Sequence, residues 1–180
     1  MILAFDVGYH TDHSKVAVGI LDSWNDVIDF DFEQHQLAQK YSLRDFKVAT
    51  FDSQAMPADY QPGAFYKREL PLIISALQNY QLHQVDLIIV DGYVDLKAGK
   101  PGLGAYLYAE QGQRIPVIGV AKSYYRDTDA LPVLRGESQK PLYVSARGIS
   151  LERAAAIIAT LPGKYRHPDF LKAVDLATRV

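Results

Sequence analysis

Two apolar runs constrain this chain more than any other feature. "MILAF" leads directly into Asp6 and "LIIV" leads directly into Asp91, and neither run offers solvent a polar face. A strand that is apolar on both sides must be covered on both sides, which is the habit of parallel or mixed sheets clothed by helices. An α/β architecture is therefore expected. Around these runs the pattern predicts strands at about 2–7, 14–22 and 26–33, a polar stretch over 34–45 that a helix would accommodate, and a short strand "FKVATF". A helix is expected from about 63 to 81, a strand at 85–90, a short helix near 102–111 and strands at 115–120 and 141–145. The helix "SLERAAAIIATL", which Ser150 can cap, and a last helix at about 168–178 complete the chain.

Three consecutive strands followed by alternating helices and strands is the element order of the ribonuclease H-like fold, a mixed sheet with helices on both faces. The 180 residues are expected to form a single domain, 1–180. No cysteine is present, which excludes disulfides, thiolate metal sites and a cysteine nucleophile. No apolar run approaches the roughly 20 residues that span a bilayer, and the opening "MILAFDVGYH" lacks the basic region of a signal peptide, so a cytoplasmic location is expected. The net charge of −2 argues mildly against nucleic acid as a partner, because phosphate contacts call for a basic excess. Local basic residues near the motifs below, among them Lys67, Arg68, Lys97, Lys100, Lys122, Arg126, Lys140 and Arg147, leave room for a basic surface.

Three acidic residues fall where carboxylates are expensive. Asp6 and Asp91 end the two apolar strands, and ligand sites in open α/β sheets gather at the carboxyl ends of strands. Glu69 stands four residues before Ile73, on the inward stripe that continues through Leu77 and Tyr80. Each has a plain alternative. Asp6 can cap the following loop, Asp91 can open an Asp-Gly turn, and Glu69 can be a wet first-turn glutamate favoured by the helix dipole. Taken together they would bring like charges close, which is unfavourable without a cation between them. An all-carboxylate donor set suits Mg²⁺ or Mn²⁺, and such a site on this fold points to phosphodiester hydrolysis.

"FDVGY", "YQPGAFYKRELP", "LIIVDG", "IPVIGVAKS", "KPLYVS", "ISLERA" and "YRHPDFLKAVDL" follow one another over nearly the whole chain. In this order they resemble the motifs of the endonuclease V family, metal-dependent nucleases of ribonuclease H-like fold that act on deoxyinosine in DNA or, in some members, on inosine in RNA. It implies Mg²⁺ (or Mn²⁺) held by Asp6, Glu69, Asp91 and Asp175. It further implies that Asp6, Glu69, Asp91 and Lys97 or Lys122 serve catalysis, and that Tyr60, Pro62, Gly63, Gly92 and Lys122 contact the nucleic acid. Tyr60 matches the aromatic wedge beside the lesion.

The chain also departs from the family pattern. Val94 replaces a glycine, Lys97 and Tyr106 replace histidines, and "VSARG" lacks the histidine of the family's "V-S-x-G-H". A β-branched Val94 is expected to obstruct the approach of a flipped base. The implied activity is thus a metal-dependent endonuclease cutting near a deaminated base. A non-catalytic nucleic-acid-binding or interaction protein on the same fold is the alternative.

Overall fold

The computed structural model describes residues 1–22, 46–53 and 66–180. The strand expected at 26–33 and the polar stretch at 34–45 lie outside the described residues. A seven-stranded mixed sheet runs through the molecule in the order β3-β2-β1-β4-β7-β9-β8. Its strands are β1 (Ile2–Tyr9), β2 (Ser14–Leu21), β3 (Phe46–Ser53), β4 (Leu87–Asp91), β7 (Val117–Ala121), β8 (Leu131–Val133) and β9 (Leu142–Arg147). The first three form an antiparallel meander. β4 then pairs parallel to β1 and β7 parallel to β4, so the carboxyl ends of three central strands lie side by side. A small separate hairpin, β5 (Asp95–Lys97) with β6 (Lys100–Pro101), follows β4.

The sheet separates two apolar layers by the two-residue alternation of its strands. On one face Leu3, Phe5, Ile88 and Val90 meet α1 (Tyr66–Leu77) and α2 (Leu103–Glu110). On the other, Ile2, Ala4, Leu87, Ile89, Ile118 and Val120 meet α3 (Leu151–Thr160) and α4 (Asp169–Ala177). The continuous apolarity that the sequence displays in β1 and β4 is the requirement of a strand covered twice. The side chain of Ser150 accepts a hydrogen bond from the Arg153 amide at 3.3 Å, as the sequence predicts for the start of α3. Among the described residues, no helix is long and apolar enough to cross a membrane.

Candidate active site

The alternation that builds the core also places the acidic residues. Asp6 continues the row Ile2–Ala4, Asp91 continues Leu87–Ile89, and Lys122 continues Ile118–Val120. All three rows face the layer formed by α3 and α4 until the sheet ends, and there the apolar series gives way to charge. The β1–β4 register, Phe5 opposite Val90, makes Asp6 and Asp91 neighbours. Asp175 enters from α4, whose Phe170, Leu171 and Val174 are buried against the same face. One carboxylate oxygen from each of Asp6, Asp91 and Asp175 lies within 4.8 Å of the others.

Glu69 is not a member of that tight trio. It belongs to α1, which packs on the opposite face of the sheet, and it reaches the same cleft around the sheet's end. The cleft measures about 600 Å³ and is lined by Asp6, Glu69, Asp91 and Asp175 together with Tyr9, Arg68 and Thr178. Glu69 is only 5% exposed. Burial first, then the charges of Asp6 and Asp91, push its carboxyl up to about 8. Beside it the Arg68 guanidinium stacks 4.2 Å from the centre of the Tyr9 ring. Burial and the Glu69 charge raise the Tyr9 phenol, whose buried oxygen has no hydrogen-bond partner of normal geometry.

Lys122 Nζ donates to Asp91 Oδ2 at 3.0 Å and to Asp175 Oδ1 at 3.2 Å. Burial opposes its ammonium, but these two carboxylates outweigh that and hold it above the ordinary lysine range. Asp175 is raised by burial and lowered more strongly by Lys122 and Arg179, with a net fall; Arg179 donates to its Oδ2 at 2.5 Å. Asp6 is raised, by burial and then by Asp91; it accepts from the Val7 amide at 3.0 Å and from the Thr178 hydroxyl at 3.5 Å. The cluster is therefore undercompensated at Asp6 and Glu69, while Lys122 and Arg179 hold only its Asp91–Asp175 side. With Lys122 39% and Asp91 37% exposed, their contact contributes no more than about 1 kcal/mol. The all-oxygen donor set, the raised carboxyls and the open cleft fit a hard cation such as Mg²⁺ or Mn²⁺.

The remaining predicted residues fall in different places. Gly92 turns the chain away from β4 at φ 114°, a left-handed value suited to glycine. It lines both the acidic cleft and a second pocket of about 210 Å³ walled by Tyr66, Tyr93, Leu96, Leu103 and Tyr125. Val94, expected to obstruct the approach of a flipped base, has its side chain turned into the core. It is fully buried, its amide donates to Ser145 Oγ at 2.8 Å, and its side chain occupies the space beside Gly104. Lys97 pairs with Asp127 at 3.9 Å on the β5–β6 hairpin and lines neither space. Tyr106 stacks on Tyr66 with ring centres 3.8 Å apart. Tyr60, Pro62 and Gly63 lie outside the described residues.

Sequence reasoning missed His167. It lines a small cavity with Asp6, Asp91 and Asp175. Burial, reinforced by Lys122, lowers its pKa against the opposing charges of Asp91 and Asp175. His167 stands inside the motif "YRHPDFLKAVDL" and is the sole histidine beyond residue 83. Arg166 beside it donates to the carbonyl of Lys122 and, at 2.7 Å, to that of Pro141, tying this loop to the end of β7.

A sheet of this order with acids at the carboxyl ends of its central strands places the chain in the ribonuclease H-like class. The sequence profile of the endonuclease V family matches residues 1–133. The chain belongs to the endonuclease V family, a family of nucleases. Among solved structures, endonuclease V of Ciona intestinalis, in complex with a 24mer DNA containing an inosine followed by a ribo-adenosine, aligns with TM-score 0.70 and 18% identity over 99% of this chain and 84% of that one. Endonuclease V of Streptomyces avermitilis aligns with TM-score 0.69 and 26% identity over 99% and 79%. The human enzyme aligns with TM-score 0.67 and 18% identity over 99% and 82%. A comparison with curated proteins gave no match.

Proposed function

We propose that the chain is a divalent-metal-dependent endonuclease that hydrolyses a phosphodiester near a deaminated base, inosine, in DNA or RNA. The observation that carries this reading is the convergence of the Asp6, Asp91 and Asp175 carboxylates within 4.8 Å at the end of the central strands. These three, with Glu69 across the cleft, would hold Mg²⁺ or Mn²⁺. When bound, the ion offsets charge developing on the phosphoryl group and lowers the pKa of a bound water. Asp6, Asp91 and Asp175 then fix the geometry on one face of the sheet, and Glu69 closes the site from the other. Lys122, no longer needed to neutralise Asp91 and Asp175, is free to contact a phosphate oxygen at the same sheet end. The aromatic pocket beginning at Gly92 adjoins Asp91 and would receive the unstacked base, with the chain around Tyr60 as the wedge. The likeness to structures of Ciona intestinalis endonuclease V in complex with inosine-containing DNA supports this choice of substrate.

The test is cleavage of end-labelled oligonucleotides, with and without inosine, single- and double-stranded, in Mg²⁺, Mn²⁺ or EDTA. The wild-type protein is expected to cut the inosine-containing strand in either metal and not in EDTA, and Asp91→Ala to be slower by at least about 100-fold. Salt-dependent binding without any cleavage would establish the non-catalytic alternative.

A further inference from the structure

A tyrosine pair, exposed Tyr124 against half-buried Tyr143, stands past the end of β7 and outside the three spaces described above. Tyr124 follows Lys122 by two residues and is 62% exposed. Its ring lies 5.5 Å from that of Tyr143, tilted by 58°. The β7–β9 register sets Tyr143 opposite Ala121, at the same end of the sheet as Asp91 and Lys122 but on its other face. Along an extended chain, Tyr124 Cα is at most about 7 Å from Lys122 Cα.

A lone exposed aromatic is ordinary on a protein surface. This one is held on a fixed backbone. The Tyr93 hydroxyl donates to the Ser123 carbonyl at 2.8 Å and accepts from the Tyr125 amide at 3.0 Å, so it grips the chain on both sides of Tyr124. Arg166 clasps the Lys122 carbonyl just upstream. Tyr125 is held in turn by Lys100, which donates to its hydroxyl at 2.7 Å. Three neighbours thus immobilise the loop while Tyr124 itself remains open to solvent. A rigid aromatic with few rotamers loses little entropy when a flat partner stacks on it. Basic residues flank the pair in sequence: Arg126, two residues after Tyr124, with a side chain 92% exposed and 3.9 Å from Asp127, and the exposed Lys140, three residues before Tyr143.

We propose that the Tyr124–Tyr143 pair is a stacking platform for an unpaired nucleobase of the strand being cut, neighbouring the scissile phosphate. The inference rests on the nucleic-acid reading above and adds a binding site to it. Its consequence is a preference for a strand unpaired at that flank, because a base still paired in a duplex cannot present its face to Tyr124.

The test is fluorescence anisotropy with a labelled single-stranded oligonucleotide and with the same sequence as a fully paired duplex. It is run with Ca²⁺ in place of Mg²⁺ to hold the complex uncut, for wild type, Tyr124→Ala and Tyr124→Phe, with folding checked by circular dichroism. Tyr124→Ala is expected to weaken single-strand binding about tenfold and duplex binding less than twofold, while Tyr124→Phe stays within twofold on both. The proposal is overturned by single-strand binding of Tyr124→Ala within twofold of wild type, by an equal loss on both substrates, or by a matching loss in Tyr124→Phe. If wild type binds neither oligonucleotide, the nucleic-acid reading fails and the platform with it. If wild type binds and Tyr124→Ala binds equally well, the platform alone fails.

Discussion

Glu69 is the residue at which the conflict between folding and function is most visible. Its carboxyl is pushed up to about 8 from an ordinary 4.5, chiefly by burial. A carboxyl whose folded-state pKa is raised binds its proton more tightly when folded. Its contribution to stability is therefore complete below about pH 4.5 and is lost as pH climbs through 8. In EDTA, the stability of wild type relative to Glu69→Gln is expected to fall across that window by up to a few kcal/mol, read from urea midpoints at successive pH values. Adding Mn²⁺ should recover most of the loss in wild type and little in Glu69→Gln. A pH-independent difference between the two proteins would mean that the burial of Glu69 carries no electrostatic penalty. Position in the sequence announced this residue, since its spacing from Ile73 and Leu77 puts it on the buried stripe. What spacing could not convey is that α1 covers the other face of the sheet, so that Glu69 joins the cleft without joining the trio.

At the scale of the element, the loop between α3 and α4 sets the position of His167 and the start of α4. That loop is organised by Arg135, a nearly buried side chain. Its guanidinium donates to the carbonyls of Leu161, Gly163 at 3.2 Å, Tyr165 at 3.0 Å, Arg166 at 3.3 Å and Ala159 at 3.3 Å. Among the described residues no carboxylate pairs with it within salt-bridge distance, although the charge of Asp169 favours its guanidinium; backbone carbonyls accept its hydrogen bonds. Arg135→Leu removes those donors and leaves carbonyls unsatisfied, so a loss of roughly 3 kcal/mol or more is expected in urea denaturation. Hydrogen exchange should accelerate first in residues 159–167. The sequence concealed this element because one arginine binding irregular backbone has no period or motif. The same holds for β5, β6 and β8, strands of two or three residues that leave no alternation to read. The long elements were legible for the opposite reason: β1, β4 and β7 are buried on two sides, and α3 announces itself by its cap.

On the scale of the whole molecule, the site exists only because α4 lies unusually close to β1 and β2, which brings the last helix of the chain onto its first strand. Asp6 and Asp91 could be placed from strand ends, but Asp175 is one polar residue among several on an amphipathic helix. Only the family resemblance singled it out, because long-range packing has no local signature. The close approach depends on glycine. A Cβ on Gly8 would stand 2.4 Å from the Thr178 carbonyl oxygen and 2.8 Å from the Thr178 Cβ; a Cβ on Gly19 would meet Val174 and Phe170 at 2.5 and 2.6 Å. At Gly8 the obstacle includes backbone, so Gly8→Ala must push the end of α4 outward. Thr178 then leaves Asp6, and Asp175 withdraws from Asp6 and Asp91. A displacement of about 1 Å in such a constellation costs on the order of 100-fold in rate, whereas the sheet and both apolar layers keep their contacts. Gly8→Ala is therefore expected to retain its circular dichroism spectrum and lose Mn²⁺ affinity, measured calorimetrically, together with most of its cleavage activity. Gly99→Ala, at a position where a Cβ would meet nothing within 4 Å but φ is +72°, serves as a strained control remote from α4 and is expected to leave Mn²⁺ affinity unchanged. Equal Mn²⁺ affinity in Gly8→Ala and wild type would show that Asp175 does not share the ion with Asp6 and Asp91.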